Sequence, residues 1–165
     1  MYRILRETLR LGKVGEKPPL TERDPASTSP SCFRHSLSIR HVDAGSCNGC
    51  ELELNALSGP HYGLEQAGFR FTASPRHADV LTVSGPVARH MVAALHDCHN
   101  AMPEPRRIIA IGDCACSGGV FRGSYAVMDG IAETLPVDLQ IPGCPPDPDA
   151  LLQGLLRVSG DRAET

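Results

Sequence analysis

Apolar and polar positions change rhythm at residue 37, where a pattern of alternating strands and helices begins. Short apolar runs predict five strands, at 37–42, 69–73, 80–84, 108–111 and 137–141. Runs of this length separated by helical spacing are typical of βαβ units. The pattern therefore predicts an α/β domain with a mostly parallel, five-stranded sheet and helices on both faces.

Three helices are predicted between and after these strands. The first is short, begins near Glu51 and turns three leucines inward: Leu52, Leu54 and Leu57. A second lies between Pro86 and Cys98, with the proline in its first turn. The third runs from about Asp147 to Val158, with Asp147 as the N-cap before Pro148.

The chain divides into three parts on this pattern. Residues 1–36 form a basic arm, in which 1–12 predict a short amphipathic helix and 15–31 an extended Pro/Ser/Thr-rich linker. Residues 37–158 form the α/β domain, and 159–165 a polar tail. Residues 1–40 hold eight Lys/Arg against four Asp/Glu, and the rest holds eight against fifteen. The arm either contacts anionic lipid or an acidic partner, or is solvated.

Composition narrows the class of protein. The chain has 165 residues, enough for one domain with its own core. The acidic domain and the 4% aromatic content disfavour nucleic-acid binding. No apolar stretch is long enough to cross a bilayer, and the charged N-terminus is unlike a signal peptide. The sequence therefore predicts a cytoplasmic protein.

Four of the seven cysteines follow predicted strands directly. Cys47 and Cys50 come after the first strand, Cys114 after the fourth and Cys144 after the fifth. Because the carboxyl ends of parallel strands share one edge of a sheet, the four thiols are expected at that edge. Four thiolates suit an iron–sulfur cluster or a structural zinc ion.

The spacing of the cysteines along the chain favours one of these alternatives but excludes none of them. Structural zinc sites pair two knuckles that lie close in sequence, whereas 64 positions separate Cys50 from Cys114 and 30 separate Cys114 from Cys144. This favours a [4Fe–4S] cluster, with zinc or no metal as the alternatives. A thioredoxin-like role for Cys47 and Cys50 leaves the other two cysteine groups unexplained.

Four motifs carry a resemblance to a known family: Cys-Asn-Gly-Cys-Glu-Leu-Glu at 47–53, SPRHADVLTVSGPV at 74–87, Gly-Asp-Cys-Ala-Cys-Ser-Gly-Gly at 112–119, and Leu-Pro-Val-Asp running on to Ile-Pro-Gly-Cys-Pro-Pro at 135–146. The chain resembles the small subunit shared by respiratory complex I and the membrane-bound group 4 [NiFe] hydrogenases, which include formate hydrogenlyase. The resemblance covers about residues 37–157. It implies a flavodoxin-like fold and one [4Fe–4S] cluster.

The resemblance also implies roles and partners. Cys47, Cys50, Cys114 and Cys144 match the four cluster ligands, and no residue of this chain is expected to be catalytic. The chain is expected to be an electron-transfer subunit of an oxidoreductase complex whose large subunit holds the catalytic centre. The other implied partners are a ferredoxin-like iron–sulfur subunit and integral membrane subunits. The implied location is peripheral, on the cytoplasmic side of the cell membrane.

One departure discriminates within the family. The complex I subunit carries two adjacent cysteines in its first motif, whereas this chain has the hydrogenase-like Cys-x-x-Cys. The expected function is therefore electron transfer in a group 4 hydrogenase or formate hydrogenlyase-like complex. The alternatives are a complex I-like NADH:quinone oxidoreductase subunit and a zinc-stabilised scaffold without redox activity.

Other residues near the motifs have weaker assignments. Glu51 is a candidate for proton coupling to the cluster, or else an acidic residue that complements the helix dipole. Cys116 is expected to be a spare thiol near the site, and Cys32 and Cys98 structural cysteines. Asp113 is interpreted as a turn residue.

Basic residues outside the motifs are assigned to the surface. Arg76 and His77 are expected at the opposite end of the sheet from the cysteines. His90, His96 and His99 do not share one helical face, so a second metal site is not expected.

Overall fold

Five strands form one parallel sheet in the computed structural model, which describes residues 36–160. The strands span Leu37–Asp43 (β1), Phe69–Phe71 (β2), Val80–Ser84 (β3), Arg107–Ile111 (β4) and Leu139–Ile141 (β5). Their order is β2-β1-β3-β4-β5, and every neighbouring pair is parallel. This is the flavodoxin-like order. The predicted α/β fold class is confirmed.

Four α-helices connect or follow these strands: Gly49–Leu57 (α1), Val92–Ala101 (α2), Gly112–Ser117 (α3) and Pro148–Gly160 (α4). The last helix extends two residues past Val158, into the predicted polar tail. The predicted N-terminal helix and linker, Cys32 and residues 161–165 lie outside the described residues.

The sheet is covered on both faces by apolar side chains. On one face, strand residues such as Ile39 and Ile109 pack with leucines of α1 and α4. On the other, Leu81 and Ile108 pack with Leu95 of α2. Each fully buried leucine or isoleucine contributes about 1.5–3 kcal/mol to folding. The two layers thus hold the strand ends, and the loops that follow them, in fixed relation.

Two details of the helix prediction are wrong. Leu52 is 61% exposed, because it lies about 200° around the helix from the buried Leu54. The helix predicted from Pro86 starts only at Val92. Residues 87 and 88 instead bond to distant backbone: Ala88 N–H donates to Ala44 O at 2.8 Å, and Val87 O accepts from Met128 N–H at 2.8 Å.

The N-cap prediction for the last helix is supported by a hydrogen bond. Asp147 Oδ1 accepts a hydrogen bond from Ala150 N–H at 2.7 Å, and Pro148 occupies the first helical position. In contrast, α3 was not predicted. Its six residues lie within the Cys114 motif, to which the sequence assigned no helix.

One sheet face changes from apolar to polar toward the carboxyl ends of the strands. Along β1, Ile39 is followed on the same face by His41, and along β3 Val80 is followed by Thr82 and Ser84. Thr82 and Ser84 are completely buried. This polar patch lies at the edge where the cysteine loops emerge.

No helix among residues 36–160 has both the length and the apolar character needed to cross a bilayer.

Candidate metal centre

The first cysteine loop is shaped by a turn at the end of β1. Asp43 Oδ1 accepts hydrogen bonds from Gly45 N–H at 2.8 Å and Ser46 N–H at 2.7 Å. The chain then enters α1 through Asn48, whose φ of 71° is left-handed. Cys47 is exposed just before the helix, and Cys50 is half-buried in its first turn.

Gly112 lies where the first and second cysteine loops meet. Its φ is +87°, and a Cβ at this position would lie 2.7 Å from Cys50 Sγ and 3.4 Å from Gly143 O. A side chain therefore does not fit between the three loops. A Cβ on Gly119 would lie 3.1 Å from Cys114 Sγ, so the space beside Cys50 is the tighter of the two.

Two hydrogen bonds join the Cys114 loop to the Cys144 loop. Asp113 N–H donates to Gly143 O at 2.9 Å, and Gly143 N–H donates to Asp113 Oδ1 at 2.8 Å. Because Asp113 precedes Cys114 and Gly143 precedes Cys144, the pair fixes two of the cysteines relative to each other. Asp113 is therefore more than the simple turn residue predicted.

The first and third cysteine loops also adjoin. A Cβ on Gly49 would lie 3.6 Å from Cys47 Sγ and 3.9 Å from the Cβ of Pro145, the residue after Cys144. The structure therefore brings the Cys47–Cys50, Cys114 and Cys144 loops together at one rim of the sheet, as predicted.

The thiols influence one another electrostatically. Burial, followed by the charges of Glu51 and of the other three thiols, raises the pKa of Cys50 to about 12. Burial, then Cys144 and Cys47, also raises the pKa of Cys114. Four thiolates at this rim repel one another, so the ionised set requires positive charge among them.

The donor set matches a thiolate-bound centre. Thiolates are the ligands of iron–sulfur clusters and of structural zinc. Among residues 36–160, no group of three or more His, Cys, Asp and Glu side chains could hold a metal ion in the observed conformation. The four ligand assignments therefore stay a prediction.

Glu51 is the centre of a hydrogen-bonded network beside Cys50. Its carboxylate accepts from Ser46 Oγ at 2.6 Å and from Ser84 Oγ, and lies 3.5 Å from His41 Nε2. Thr82 Oγ1 lies 3.1 Å from His41 Nδ1 on the other side of the ring. Burial is the largest influence on Glu51 and opposes ionisation, but these donors together outweigh it and lower the pKa of the carboxyl group. Burial lowers the pKa of His41, against the attraction of Glu51.

The remaining candidate residues lie away from this network. Cys116 is half-buried and faces Ala110 O at 3.9 Å, and burial raises its pKa to about 11. Cys98 packs against the opposite face of the sheet, where Arg40 contacts it. Arg76 and His77 lie before β3, at the opposite end of the sheet. The proton-coupling role of Glu51 stays a prediction.

Sequence reasoning missed the polar residues that support the cysteines. Asp113, Ser46 and Ser84 make bonds to partners up to 33 residues away, which no local pattern reveals. One sequence signal could have revealed a buried polar patch: Thr82 and Ser84 are polar residues at alternate positions of an otherwise apolar strand, so they share one face of the sheet.

Comparison with known proteins gives concordant matches. Residues 47–158 match the family model of the NADH ubiquinone oxidoreductase 20 kDa subunit. An uncharacterized protein of Methanocaldococcus jannaschii is 40% identical over 126 residues, which are 76% of this chain and 84% of that protein. An NADH-quinone oxidoreductase subunit of Geobacter metallireducens is 47% identical over 109 residues, 66% of this chain and 64% of the relative. The chain thus spans slightly less than two thirds of that relative.

Solved structures share the fold. A chain of the membrane-bound sulfane sulfur reductase, an archaeal respiratory membrane complex, superimposes with a TM-score of 0.66 at 29% identity, covering 75% of this chain and 68% of that one. A chain of an NAD⁺-reducing [NiFe]-hydrogenase matches with a TM-score of 0.59 at 18% identity, over 76% and 92% of the two chains, and so supports the fold alone. The family match covers four of the five strands, β2 to β5, and all four cysteines of the rim. The chain therefore belongs to the family of the NADH:ubiquinone oxidoreductase 20 kDa subunit.

Proposed function

We propose that this chain is an electron-transfer subunit that holds one [4Fe–4S] cluster through Cys47, Cys50, Cys114 and Cys144. A bound cluster of this type supplies one-electron transfer. The observation that carries the proposal is the meeting of three cysteine loops at Gly112, where backbone rather than a side chain separates them. The protein supplies four thiolates, and no residue of the chain is assigned a bond-making step.

The separation of the loops favours a cluster over zinc. Around one zinc ion all four sulfurs must lie about 2.3 Å from a single centre. In a [4Fe–4S] cube each thiolate binds a different iron, so the ligands are spread over a larger object. The four cysteines come from three loops, with 64 positions between Cys50 and Cys114 and 30 between Cys114 and Cys144, whereas structural zinc sites use two knuckles that lie close in sequence; the spacing therefore supports the cluster.

The proposed partner is a catalytic large subunit that covers the cysteine rim. Cys47 and Cys144 are exposed there. The segment after Cys114 exposes apolar side chains, with Val120 85% and Tyr125 91% accessible. Exposed apolar residues of this size beside a redox site are typical of a subunit interface. A ferredoxin-like subunit and integral membrane subunits complete the proposed complex, on the cytoplasmic side of the membrane.

The Cys-x-x-Cys spacing supports a group 4 hydrogenase or formate hydrogenlyase-like complex. The second candidate is a complex I-like quinone reductase, which the 45–47% identity to NADH-quinone oxidoreductase subunits favours. Both share the proposed cluster and differ in the large subunit.

Anaerobic purification of the complex from its native host tests this proposal. We expect iron and acid-labile sulfide in the small subunit, and nickel in the co-purified large subunit. A large subunit without nickel, in a complex that reduces quinone, would replace the first candidate with the second. Zinc in place of iron in the small subunit would overturn both.

A further inference from the structure

The carboxylate of Glu51 joins the two ends of the Cys47–Cys50 segment. Ser46, which directly precedes Cys47, donates its hydroxyl to Glu51 Oε2 at 2.6 Å. Glu51 itself directly follows Cys50. The bond therefore closes a short ring across the segment that carries both thiols.

The same carboxylate ties this ring to the sheet. Ser84, the last residue of β3, is completely buried and donates its hydroxyl to Glu51 Oε1. The neighbouring backbone leaves little freedom, since a Cβ on Gly85 would lie 2.5 Å from Ser46 N. Ala44 N–H also donates to Ser84 O at 2.9 Å. The end of the central strand is thus the platform on which the cysteine segment lies.

We propose that Glu51 is a positioning residue whose carboxylate fastens the Cys47–Cys50 segment to β3 and so holds these two thiols in place for the cluster. This inference rests on the proposed function. It differs from the proton-coupling role predicted for Glu51, because it requires hydrogen-bond-accepting oxygens and no movement of a proton.

Three variants of the full-length chain separate these roles. Glu51→Ala removes the link. Glu51→Gln removes the charge but keeps the bonds, because its amide accepts from one serine hydroxyl and donates to the other. Both changes remove the favourable charge from the first turn of α1, so their difference isolates the link. Glu53→Ala is the matched control, on the same helix and without a hydrogen bond to Ser46 or Ser84.

The first measurement is the rate at which reconstituted, anaerobic protein loses its visible iron–sulfur absorbance to a chelator. We expect Glu51→Ala to lose it about 10- to 100-fold faster than wild type, since hydrogen bonds to a charged group are lost. Glu51→Gln and Glu53→Ala are expected to stay within about threefold of wild type. Equal rates for Glu51→Ala and Glu53→Ala would overturn the proposal.

The second measurement uses metal-free protein and the rate of alkylation of Cys47 and Cys50, followed by mass spectrometry. We expect Glu51→Ala to react about tenfold faster at Cys50 than Glu51→Gln, which lacks the same negative charge but keeps the bonds, with the exposed Cys47 changing less and Cys116 unchanged as an internal reference. Equal alkylation rates in the two variants would overturn the proposal, whether or not the wild-type chain takes up iron. Failure of the wild-type chain to take up iron would overturn the proposed function instead.

Ser84→Ala removes the hydrogen bond between Ser84 and Glu51 from the side of the sheet. It replaces Glu51→Ala in both measurements if that variant does not fold. If Glu51 acts through Ser84, adding Ser84→Ala to Glu51→Ala has little further effect. Fully additive effects would contradict the proposed linkage.

Discussion

Replacing Gly112 by alanine tests the meeting point of the three cysteine loops. A Cβ there would lie 2.7 Å from Cys50 Sγ, whereas ordinary contacts begin near 3.4 Å. The sulfur or the backbone must therefore retreat by about 0.7 Å, while metal–ligand distances tolerate changes of about 0.2 Å. The positive φ adds about 1–3 kcal/mol of backbone strain.

Gly123→Ala is the matched control, because Gly123 also has a positive φ, +77°, but nothing lies within 4 Å of its added Cβ. We expect both variants to be destabilised by backbone strain, as measured by chemical denaturation of the metal-free chains. In addition, only Gly112→Ala is expected to lose most of its iron and its EPR signal after reconstitution. Wild-type iron content in Gly112→Ala, with stability equal to that of Gly123→Ala, would refute the argument that this glycine makes room for Cys50.

Three further changes test separate parts of the account. Asp113→Ala leaves Gly143 N–H without its acceptor and is expected to destabilise the domain by about 1–3 kcal/mol in chemical denaturation. Asp113→Asn is expected to stay near wild type, and equal losses of stability in the two variants would contradict the bridging role. Asp147→Ala is expected to lower the free energy of unfolding by about 1 kcal/mol through loss of the bond from Ala150 N–H, without affecting iron content; no change would mean that the cap contributes nothing. Tyr125→Asp changes a side chain that is 91% exposed, so the free energy of unfolding is expected to stay within about 0.5 kcal/mol of wild type. Binding to the large subunit is expected to weaken about tenfold in co-purification. Undiminished binding would exclude this segment from the proposed interface.

The sheet and the cysteine rim were predictable from the sequence because they follow from periodicity. Three of the five residues of β3 are apolar, and its bounds, Val80–Ser84, are those predicted. Once the sheet is parallel, residues that follow strands must share an edge, so Cys47, Cys114 and Cys144 were placed correctly.

Two of the three errors arise where long-range hydrogen bonds override the local pattern. Pro86 suits the first turn of a helix, but the adjacent backbone pairs with residues near 44 and 128 instead. β5 was predicted from Val137 but begins at Leu139, because Asp138 uses its side chain to accept from Ile108 N–H at 2.7 Å. The inward assignment of Leu52 was an error of periodicity, since a two-residue step from Leu54 reaches the other side of the helix.

The support around the cysteines was beyond sequence reasoning for the same reason. Asp113 and Gly143 are 30 residues apart, and Ser84 and Glu51 are 33 apart. Each residue type is common in turns and at helix ends, so nothing local marks it as a bridge between loops.

The most direct test of the central claim is an iron and acid-labile sulfide analysis of the anaerobically reconstituted chain, with EPR spectra after reduction. The account predicts about four irons and four sulfides per chain and a reduced-cluster signal, both lost in a Cys144→Ser variant but retained in Cys98→Ser. One zinc ion per chain with no iron, or an intact cluster in the Cys144→Ser variant with no replacement ligand, would contradict it.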